Sequence, residues 1–391
     1  MAGSHSWVFF AGGAKPTSMR KAVGMRMAES EPVVVVEQPV SVLRDRRLPP
    51  FSDRQVSIPG AAGSFLYRPL HLPQELPGCR TLMARANRQR LFRELRQMLP
   101  PAGSLVVCYD SPHQHSLVQG LREDIAVYLA IDDRTLTVGG EPILGELEAE
   151  KQLLSRVDLV VCVSDTLAAV LKSRTPPERN IPIHVLTNGY DERIFDPQRQ
   201  TEEPEILVRV PRPRVLVAGH ISERIDWVGI VGALSERPEW SWILVGSVDD
   251  GIKERVTALA AHSSGAGAKL TVAAPVEIED VPALIQHCDA CAVPYRLNAF
   301  SLGSSPLKAV EYLAMGAPVL STRIPSLESY GDAIHWVEPG VGATYANALD
   351  AIKSEGRRCE FAAARRAAVG GQSLASKAET FRRTVLQLAS V

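Results

Sequence analysis

The feature that most constrains the fold is an alternation, kept along nearly the whole chain, of short apolar runs with segments of helical periodicity. Each run is rich in β-branched side chains and is bounded by Gly, Pro, Asp or Ser. Such runs are typical of parallel strands that helices cover on both faces. The sequence therefore predicts an α/β fold with doubly wound parallel sheets. The predicted strands are Trp7–Phe10, Val33–Val36, Leu105–Tyr109, Ile125–Ile131, Leu159–Val163, His184–Leu186, Val215–Ala218, Trp242–Val245, Leu270–Val272, Ala290–Pro294, Pro318–Ser321 and Ile334–Trp336.

The strand and helix series occurs twice, which predicts two Rossmann-like domains. The 391 residues also exceed what a single hydrophobic core organises. We predict an N-terminal domain over residues 1–195, a linker over 196–213, a C-terminal domain over 214–372 and a terminal helix, 373–391, that docks onto one of the domains. If the two domains face each other, the carboxyl ends of both sheets surround a central cleft, where α/β sheets bind ligands.

The common fingerprints of nucleotide-binding sheets are missing from the sequence. It contains neither a G-x-G-x-x-G followed at the right distance by an acidic residue nor a G-x-x-x-x-G-K-[ST] loop, which disfavours nicotinamide redox chemistry and ATP hydrolysis. Cys288 and Cys291 have metal-ligand spacing but no second pair, so a buried core position is favoured over zinc. The predicted architecture suits group transfer between two bound substrates, and also an epimerase or a closing binding protein.

The most informative segment is S-S-P-L-K-A-V-E-Y-L-A-M-G-A-P-V, residues 304–319. Ser304 and Ser305, followed by a proline, have the order of a helix N-cap and predict a helix whose free N–H groups form an anion site. Lys308 stands one turn inside this helix and can pair with a phosphate. Glu311 follows on the same face, where its carboxylate can accept hydrogen bonds from the vicinal hydroxyls of a ribose. The segment therefore predicts a site for a nucleoside diphosphate.

This segment resembles the C-terminal domain of GT-B glycosyltransferases. The bacterial polysaccharide-assembly enzymes with the signature S-P-L-K-x-x-E-Y-L-A-x-G-x-P-V are the most similar group. The resemblance covers roughly residues 212–340. Within this range it includes Leu216–Trp227, Pro238–Gly246 and Val293–Asn298. In the N-terminal half, Asp158–Ser164 and Thr187–Asp191 are similar to two further family segments, while residues 1–100 match little.

The resemblance implies a glycosyltransferase of hexosyltransferase type that binds no metal. Its donor would be a UDP- or GDP-type sugar, with no separate cofactor. Lys308 would hold the donor diphosphate, Glu311 the ribose and Tyr295 the nucleobase side, with Ser304 and Ser305 beside the phosphates. The resemblance also places Arg224 near the family's second phosphate-binding cation.

Two positions depart from the broad GT-4 group within this family. The group has a Glu eight positions before the ribose-binding one, whereas this chain has Gly303 there, and a loop residue that is often Arg is His220. Two alternatives therefore stay open beside the transferase: a nucleotide-sugar 2-epimerase with the same architecture, and a non-catalytic partner of another transferase.

A candidate catalytic group stands where the predicted strand V-Y-L-A-I, residues 127–131, runs into Asp132 and Asp133. This strand end resembles the one that carries the base Asp in the inverting glucuronosyltransferase of xanthan assembly, and Asp132 falls on that position. A carboxylate there can remove the proton of an acceptor hydroxyl as it attacks the anomeric carbon. If Asp132 is the base, transfer inverts the anomeric centre; the broad GT-4 group retains it. The alternative is that the two carboxylates cap a turn or helix.

Two other turns after predicted strands are candidates for the acceptor side of the cleft. Gly12 and Gly13 form a turn through which a ligand can approach the backbone, although an ordinary tight turn fits equally. His113 and His115 follow a later strand, and lining the acceptor cleft is favoured over an inert loop. The two His could ligate a metal, but no third ligand has suitable spacing, so we predict no metal site.

The net charge of −1 conceals an asymmetry, because residues 1–100 carry 15 Lys and Arg against 7 Asp and Glu. This excess suits an anionic acceptor, such as a lipid-pyrophosphate-linked glycan, or an anionic membrane surface; a solvated helix face is the alternative. No apolar run is long enough to cross a bilayer, and the first residues lack a charged signal-peptide start. We expect a cytoplasmic protein, free or at the inner membrane face, that binds no nucleic acid.

Overall fold

The computed structural model describes residues 5–12, 19–41, 50–61, 63–71, 80–100, 103–265, 269–356 and 359–388. The chain divides into two compact units. The N-terminal unit comprises Met1–Thr135, Ile143–Leu186 and Leu374–Val391, and the C-terminal unit comprises Leu136–Pro142 and Thr187–Ser373. Residues 196–213, predicted as a linker, thus fall inside the C-terminal unit. Leu207, Val210 and partly buried Ile206 anchor this segment in the core, and an apolar stretch confined to residues 206–210 is too short to give a periodic pattern.

The described part of the N-terminal unit contains an eight-stranded sheet in the order β10-β9-β8-β7-β1-β2-β5-β4. Its neighbouring strands pair in parallel except for the antiparallel pair β4 and β5. A separate parallel pair joins β3 to β6. The strands are β1 His5–Phe10, β2 Val33–Val36, β3 Val40–Ser41, β4 Gln55–Ser57, β5 Phe65–Tyr67, β6 Leu70–His71, β7 Ser104–Tyr109, β8 Ile125–Ala130, β9 Leu159–Cys162 and β10 Ile183–Val185.

The C-terminal unit has a parallel sheet, six-stranded in the described residues, in the order β13-β12-β11-β14-β15-β16. Every strand predicted in this half of the sequence is present within one residue at each end, which confirms the doubly wound α/β class. The strands are β11 Arg214–Ala218, β12 Ser241–Val245, β13 Lys269–Ala273, β14 Ala290–Val293, β15 Val319–Thr322 and β16 Ile334–Val337.

Helices connect the strands of both sheets. In the N-terminal unit they are α1 Met19–Met27, α2 Phe51–Arg54, α3 Arg80–Met98, α4 Glu146–Leu154 and α5 Asp165–Arg174. Ser164 is the N-cap of α5, and its hydroxyl accepts a hydrogen bond from the Leu167 N–H at 3.1 Å. In the C-terminal unit they are α6 Glu205–Val208, α7 Trp227–Glu236, α8 Lys253–Gly265, α9 Val281–Gln286, α10 Ala299–Gly303, α11 Leu307–Ala314, α12 Gly342–Glu355 and α13 Cys359–Ala368; α14 Leu374–Leu388 follows.

Alternate residues of each strand enter different cores. Trp7 and Phe9 of β1 pack in one cluster, while Val8 and Phe10 pack in another. The same division holds for β11 and β12 in the C-terminal unit. Successive side chains of a strand point to opposite faces, so both sheets are buried on both faces. This burial explains why the strands read as continuous apolar runs.

Helix α14 belongs to the N-terminal unit, which settles the docking that the sequence left open. Its apolar stripe packs against β1, with Phe381 5.7 Å from Phe9 and 6.1 Å from Trp7 between ring centroids. Arg382 of the same helix pairs with Glu31. Among the helices within the described ranges, none combines the length and the apolar character needed to span a membrane.

Candidate functional site

Two glycines shape the carboxyl edge of the C-terminal sheet. Gly219 follows β11 with a φ of 112°, and a Cβ there would lie 3.0 Å from the Nζ of Lys308. Gly246 follows β12 with a φ of 157°, and a Cβ there would lie 1.8 Å from the Gly219 carbonyl oxygen. A larger residue at position 246 would push the two turns apart, and one at position 219 would displace the Lys308 ammonium. The glycines therefore allow the β11 turn to close against the Lys308 ammonium.

Helix α11 carries both predicted donor-binding side chains, Lys308 and Glu311. The helix begins after Pro306, which is its N-cap and has no side-chain capping bond. Tyr312 anchors the helix to the sheet, because its hydroxyl accepts a hydrogen bond from the Ala218 N–H at 2.9 Å. This bond joins α11 to the end of β11 directly before Gly219. One rigid helix and one strand end thus position the site.

The predicted capping role of Ser304 and Ser305 is wrong. Ser304 ends the preceding helix, α10, and its hydroxyl donates to the Ser301 carbonyl at 2.7 Å. The Ser305 hydroxyl accepts the Asn188 N–H at 3.3 Å, and the Asn188 side-chain amide donates to the Ser305 carbonyl. Both serines are buried at the base of α11. Their observed hydrogen bonds fix the entry to the helix, which the sequence could not reveal because α10 is so short.

Tyr295 brings two cations together. The Arg224 guanidinium lies 4.2 Å from the centre of the Tyr295 ring, and the Lys308 Nζ lies 5.5 Å from it. Stacking over an aromatic face stabilises a cation electrostatically. The phenol is only 2% exposed, so its face is covered by these cations. The predicted contact of Tyr295 with a nucleobase stays a prediction.

Burial shifts the pKa values of Lys308 and Glu311, the two groups on α11, in the directions that favour their neutral forms. Desolvation lowers the pKa of Lys308, and nearby Arg224 adds to the effect, while a hydrogen bond with Tyr295 opposes it. Desolvation raises the pKa of Glu311 to about 7, although Lys308 partly opposes the shift. Titratable groups whose pKa values are shifted by burial beside another charged group are typical of functional sites.

His220 occupies the loop position that is often Arg in related enzymes. Its Nε2 lies 2.7 Å from an Asp249 carboxylate oxygen, and its Nδ1 lies 2.9 Å from the Ser247 hydroxyl. The imidazole therefore links the β11 turn to the β12 turn. Arg224, and not residue 220, is the cation that lies with Lys308 over the Tyr295 ring.

In the N-terminal unit, Asp132 is half-buried just beyond the end of β8. The neighbouring Asp133 is fully buried and accepts two hydrogen bonds from Arg174, at 2.9 and 3.0 Å, and one from the Thr135 hydroxyl at 2.6 Å. Burial alone would raise the pKa of Asp133, but these hydrogen bonds outweigh it and lower the pKa. Asp133 thus fixes the turn that carries Asp132. For Asp133, this is the structural role that the sequence left open as the alternative to catalysis.

The remaining acceptor-side candidates lie on turns of the same unit. His113 is exposed and its Nε2 is 2.7 Å from a Glu146 carboxylate oxygen. His115 is half-buried, and burial with nearby Arg156 lowers its pKa. Gly12 is exposed in the turn after β1, with open space around it. The predicted partner, Gly13, lies outside the described residues.

The His, Cys and carboxylate side chains of the described ranges are the remaining candidates for metal binding or thiol chemistry. No group of three or more His, Cys, Asp or Glu side chains within those ranges is placed to hold a metal ion. Cys288 and Cys291 are buried, as expected for core thiols, and burial raises the pKa of Cys288 to about 12.

Comparisons with known proteins identify related sequences and related folds. Residues 212–354, which include the β11 turn and α11, match the family Glycosyl transferases group 1. The teichuronic acid biosynthesis glycosyltransferase TuaH of Bacillus subtilis (strain 168) is 25% identical over 182 residues. That match covers 46% of this chain and 43% of the relative, so the chain spans less than half the length of the curated relative.

Solved structures resemble the whole chain. Sucrose-phosphate synthase from Thermosynechococcus elongatus has a TM-score of 0.71 at 15% identity, with 99% of both chains covered. Anabaena HepE, solved in complex with UDP, has a TM-score of 0.66 at 15% identity. The match covers 99% of this chain and 100% of HepE. The chain therefore has the fold of the GT-B glycosyltransferases, and its residues 212–354 match the group 1 family.

Proposed function

We propose that this chain is a glycosyltransferase that moves a sugar from a nucleoside diphosphate donor to an acceptor hydroxyl. The observation that carries the proposal is the placement of Lys308 against the Gly219 turn at the carboxyl edge of the sheet, with Arg224 over the same Tyr295 ring and Glu311 on the same helix. Ligands of α/β sheets bind at such edges. Two of the similar proteins support the same proposal: HepE was solved in complex with UDP, and TuaH is named as a glycosyltransferase of teichuronic acid biosynthesis.

The donor site follows from the charges of these three side chains. Lys308 and Arg224 face a diphosphate and stabilise the charge that develops on it as the sugar leaves. In the ionised form, Glu311 accepts hydrogen bonds from ribose hydroxyls. The close turn at Gly219 lets the phosphates approach backbone N–H groups. Ser304 and Ser305 contribute by fixing the entry to α11, and Tyr295 by holding the two cations.

We propose Asp132 as the base that takes the proton of the acceptor hydroxyl. Its place beyond the end of β8 and the ion pair that fixes neighbouring Asp133 support this role. His113, His115, Gly12 and Gly13 are proposed to line the acceptor side. With Asp132 as the base, the hydroxyl attacks the face opposite the leaving diphosphate, and the product has inverted anomeric configuration.

The test is a balance of reactants and products. The chain is incubated with UDP- and GDP-hexoses, with and without hydroxyl acceptors such as lipid-pyrophosphate sugars, and released diphosphate and product are quantified. Release that requires acceptor, with one glycoside formed per diphosphate, supports the transferase. Conversion of the donor without acceptor would indicate a 2-epimerase, and nucleotide binding without turnover a non-catalytic partner.

We also propose that the transfer is of a hexosyl group and needs no protein-bound metal, because Lys308 and Arg224 provide positive charge at the leaving diphosphate. Addition of EDTA should leave the rate within about twofold of the untreated enzyme. A loss of activity in EDTA that Mg²⁺ or Mn²⁺ restores would contradict this part of the proposal.

The outer face of helix α3 supports peripheral contact with the cytoplasmic face of an anionic membrane. Leu82 is 64% exposed, and Arg85, Arg93 and Arg96 are exposed on the same side of the helix. Each Arg near an anionic surface contributes about 1 kcal/mol. This face could also hold an anionic acceptor close to the enzyme.

Sedimentation with vesicles tests this contact at low salt. Vesicles with anionic phosphatidylglycerol should bind the chain, and neutral phosphatidylcholine vesicles should bind it at least about tenfold less. The double variant Arg85→Gln/Arg93→Gln should lose about tenfold or more of this binding, whereas Lys151→Gln/Lys172→Gln, also exposed in the N-terminal unit, should lose much less. Equal binding to both vesicles would contradict the contact.

A further inference from the structure

A cavity lies in the C-terminal unit, at the edge of the sheet opposite the proposed donor site. Its volume is about 540 Å³. Pro213, Asp289 and Pro318, which line it, each stand directly before the first residue of a parallel strand. Lys308 and Gly219 lie beyond the other end, and a five-residue strand separates the two edges by roughly 16 Å. The cavity is therefore distinct from the proposed nucleotide site.

The interior of this cavity is apolar. Five of its lining side chains are at most 8% exposed: Trp240, Ile285, Cys288, Met315 and Ile352. The indole N–H of Trp240 is buried and has no hydrogen-bond acceptor among the described residues. A buried donor without an acceptor costs about 1–3 kcal/mol. An apolar ligand that carries a hydrogen-bond acceptor would suit this interior better than a pure hydrocarbon.

Three basic side chains line the cavity, Arg212, Lys353 and Arg365, together with one carboxylate, Asp289. Arg212 pairs with Asp289 at 2.7 Å, and Arg365 pairs with Glu355. Lys353 lies 3.9 Å from Glu239 and its side chain is 62% exposed, so its ammonium can turn toward a ligand at little cost.

We propose that this cavity binds a small amphipathic anion, with an alkyl or aromatic body against the apolar floor and a carboxylate head at Lys353. The volume falls in the range of pockets that enclose small organic ligands. The loosely paired ammonium of Lys353 favours an anionic head over a neutral or cationic one. The apolar floor selects a body of several carbons over a small polar metabolite. The proposal does not depend on the transferase activity.

Binding of decanoate to the full chain tests the proposal, measured by calorimetry and by Trp fluorescence. Decanoate should bind, while decyltrimethylammonium, which has the same chain and the opposite charge, should bind at least tenfold more weakly. Decanol should fall between the two. Equal affinity for the anion and the cation would overturn the assignment of the head group, and no binding of decanoate would overturn the site.

Substitutions in the lining of the cavity test whether decanoate binds there. Ala362→Phe on α13 fills the cavity and should weaken decanoate binding at least tenfold, whereas Ala364→Phe, exposed on the same helix and not lining the cavity, should not. Lys353→Gln should weaken binding about three- to tenfold, with the exposed Lys253→Gln as control. If Ala362→Phe folds poorly, Lys353→Gln decides. Unchanged affinity in Lys353→Gln, or equal loss in it and its control, would overturn the proposed contact.

Discussion

The two units differ in how far the buried charged groups at the carboxyl edges of their sheets are compensated by ion pairs and hydrogen bonds. In the C-terminal unit, burial shifts Lys308 and Glu311 toward neutrality, and the cations stack on an aromatic ring. In the N-terminal unit, hydrogen bonds from Arg174 compensate Asp133 within the turn. Desolvated charge is costly without a ligand, whereas compensated charge holds a turn in place. The first arrangement is suited to binding an anion and the second to positioning a neighbour.

The contrast separates two adjacent carboxylates. Asp133 is the fixed group, and Asp132 is the one we propose to act on substrate. Substitution of each therefore has a different expected signature, in activity for one and in stability for the other.

Asp132→Asn should produce the largest effect on catalysis. An Asn cannot accept the acceptor proton, so kcat should fall about 100- to 10,000-fold while the free energy of unfolding stays nearly unchanged. Steady-state kinetics together with urea denaturation measure both quantities. Most of the activity retained in Asp132→Asn, especially with a retained anomeric configuration in the product, would show that Asp132 is not the base.

Lys308→Ala should reduce kcat/KM for the donor about 100- to 1,000-fold, because the charge on the leaving diphosphate loses its buried cation. Kinetics with the donor sugar measure this loss, and the exposed Lys253→Ala provides the matched control. A loss in Lys308→Ala no larger than in the control would remove Lys308 from the donor site.

Asp133→Asn should act on stability, since it removes one of the two carboxylates that pair with Arg174 in a buried network and leaves Glu150 as the other. Removing one partner of a buried pair costs about 3–5 kcal/mol. Urea denaturation should show this destabilisation, and the exposed Asp53→Asn should show almost none. Normal stability with lost activity would instead make Asp133 the functional carboxylate and reverse the comparison.

Glu311→Gln should stabilise the free protein at pH 8 while weakening nucleotide binding. The pKa of Glu311 in the fold, about 7, exceeds its usual 4.5, so the native state holds more protons between these values. The contribution of Glu311 to the free energy of unfolding therefore falls as the pH rises from about 4.5 to 7. A neutral Gln avoids this loss, which is about 1–3 kcal/mol.

Urea denaturation at pH 5 and pH 8 measures the effect of Glu311→Gln. The variant should gain stability over the wild type mainly at pH 8, while the exposed Glu279→Gln should gain little at either pH. A gain of the same size at both pH values would mean that the ionised carboxylate is not the destabilising species.

The strands of both sheets could be predicted because a buried parallel strand needs a continuous apolar run, and such runs are local in sequence. Two strands of the N-terminal sheet, β4 and β5, were not predicted. Val56, the one apolar residue of β4, is 57% exposed, and β5 is apolar but only three residues long, which is too short for a recognisable strand pattern. The units also divide at positions that depend on long-range contacts.

The site was predictable to the extent that it is local. Lys308 and Glu311 share one helix, and their spacing alone places them on one face. The turn at Gly219, the stacking of Arg224 on Tyr295 and the hydrogen bonds of Asn188 to Ser305 join segments far apart in the chain. Such contacts depend on how strand ends meet, and no spacing within the sequence encodes them.

A panel of nucleoside diphosphates tested by thermal shift addresses the central claim most directly. A ligand that binds only the native state raises apparent stability by about 2.7 kcal/mol at a hundred times its dissociation constant. One diphosphate, UDP or GDP, should stabilise the wild type and the exposed control Lys253→Ala but neither Lys308→Ala nor Glu311→Ala. Equal stabilisation of wild type and both site variants, or no stabilisation by any diphosphate, would contradict the assignment of the donor site to α11.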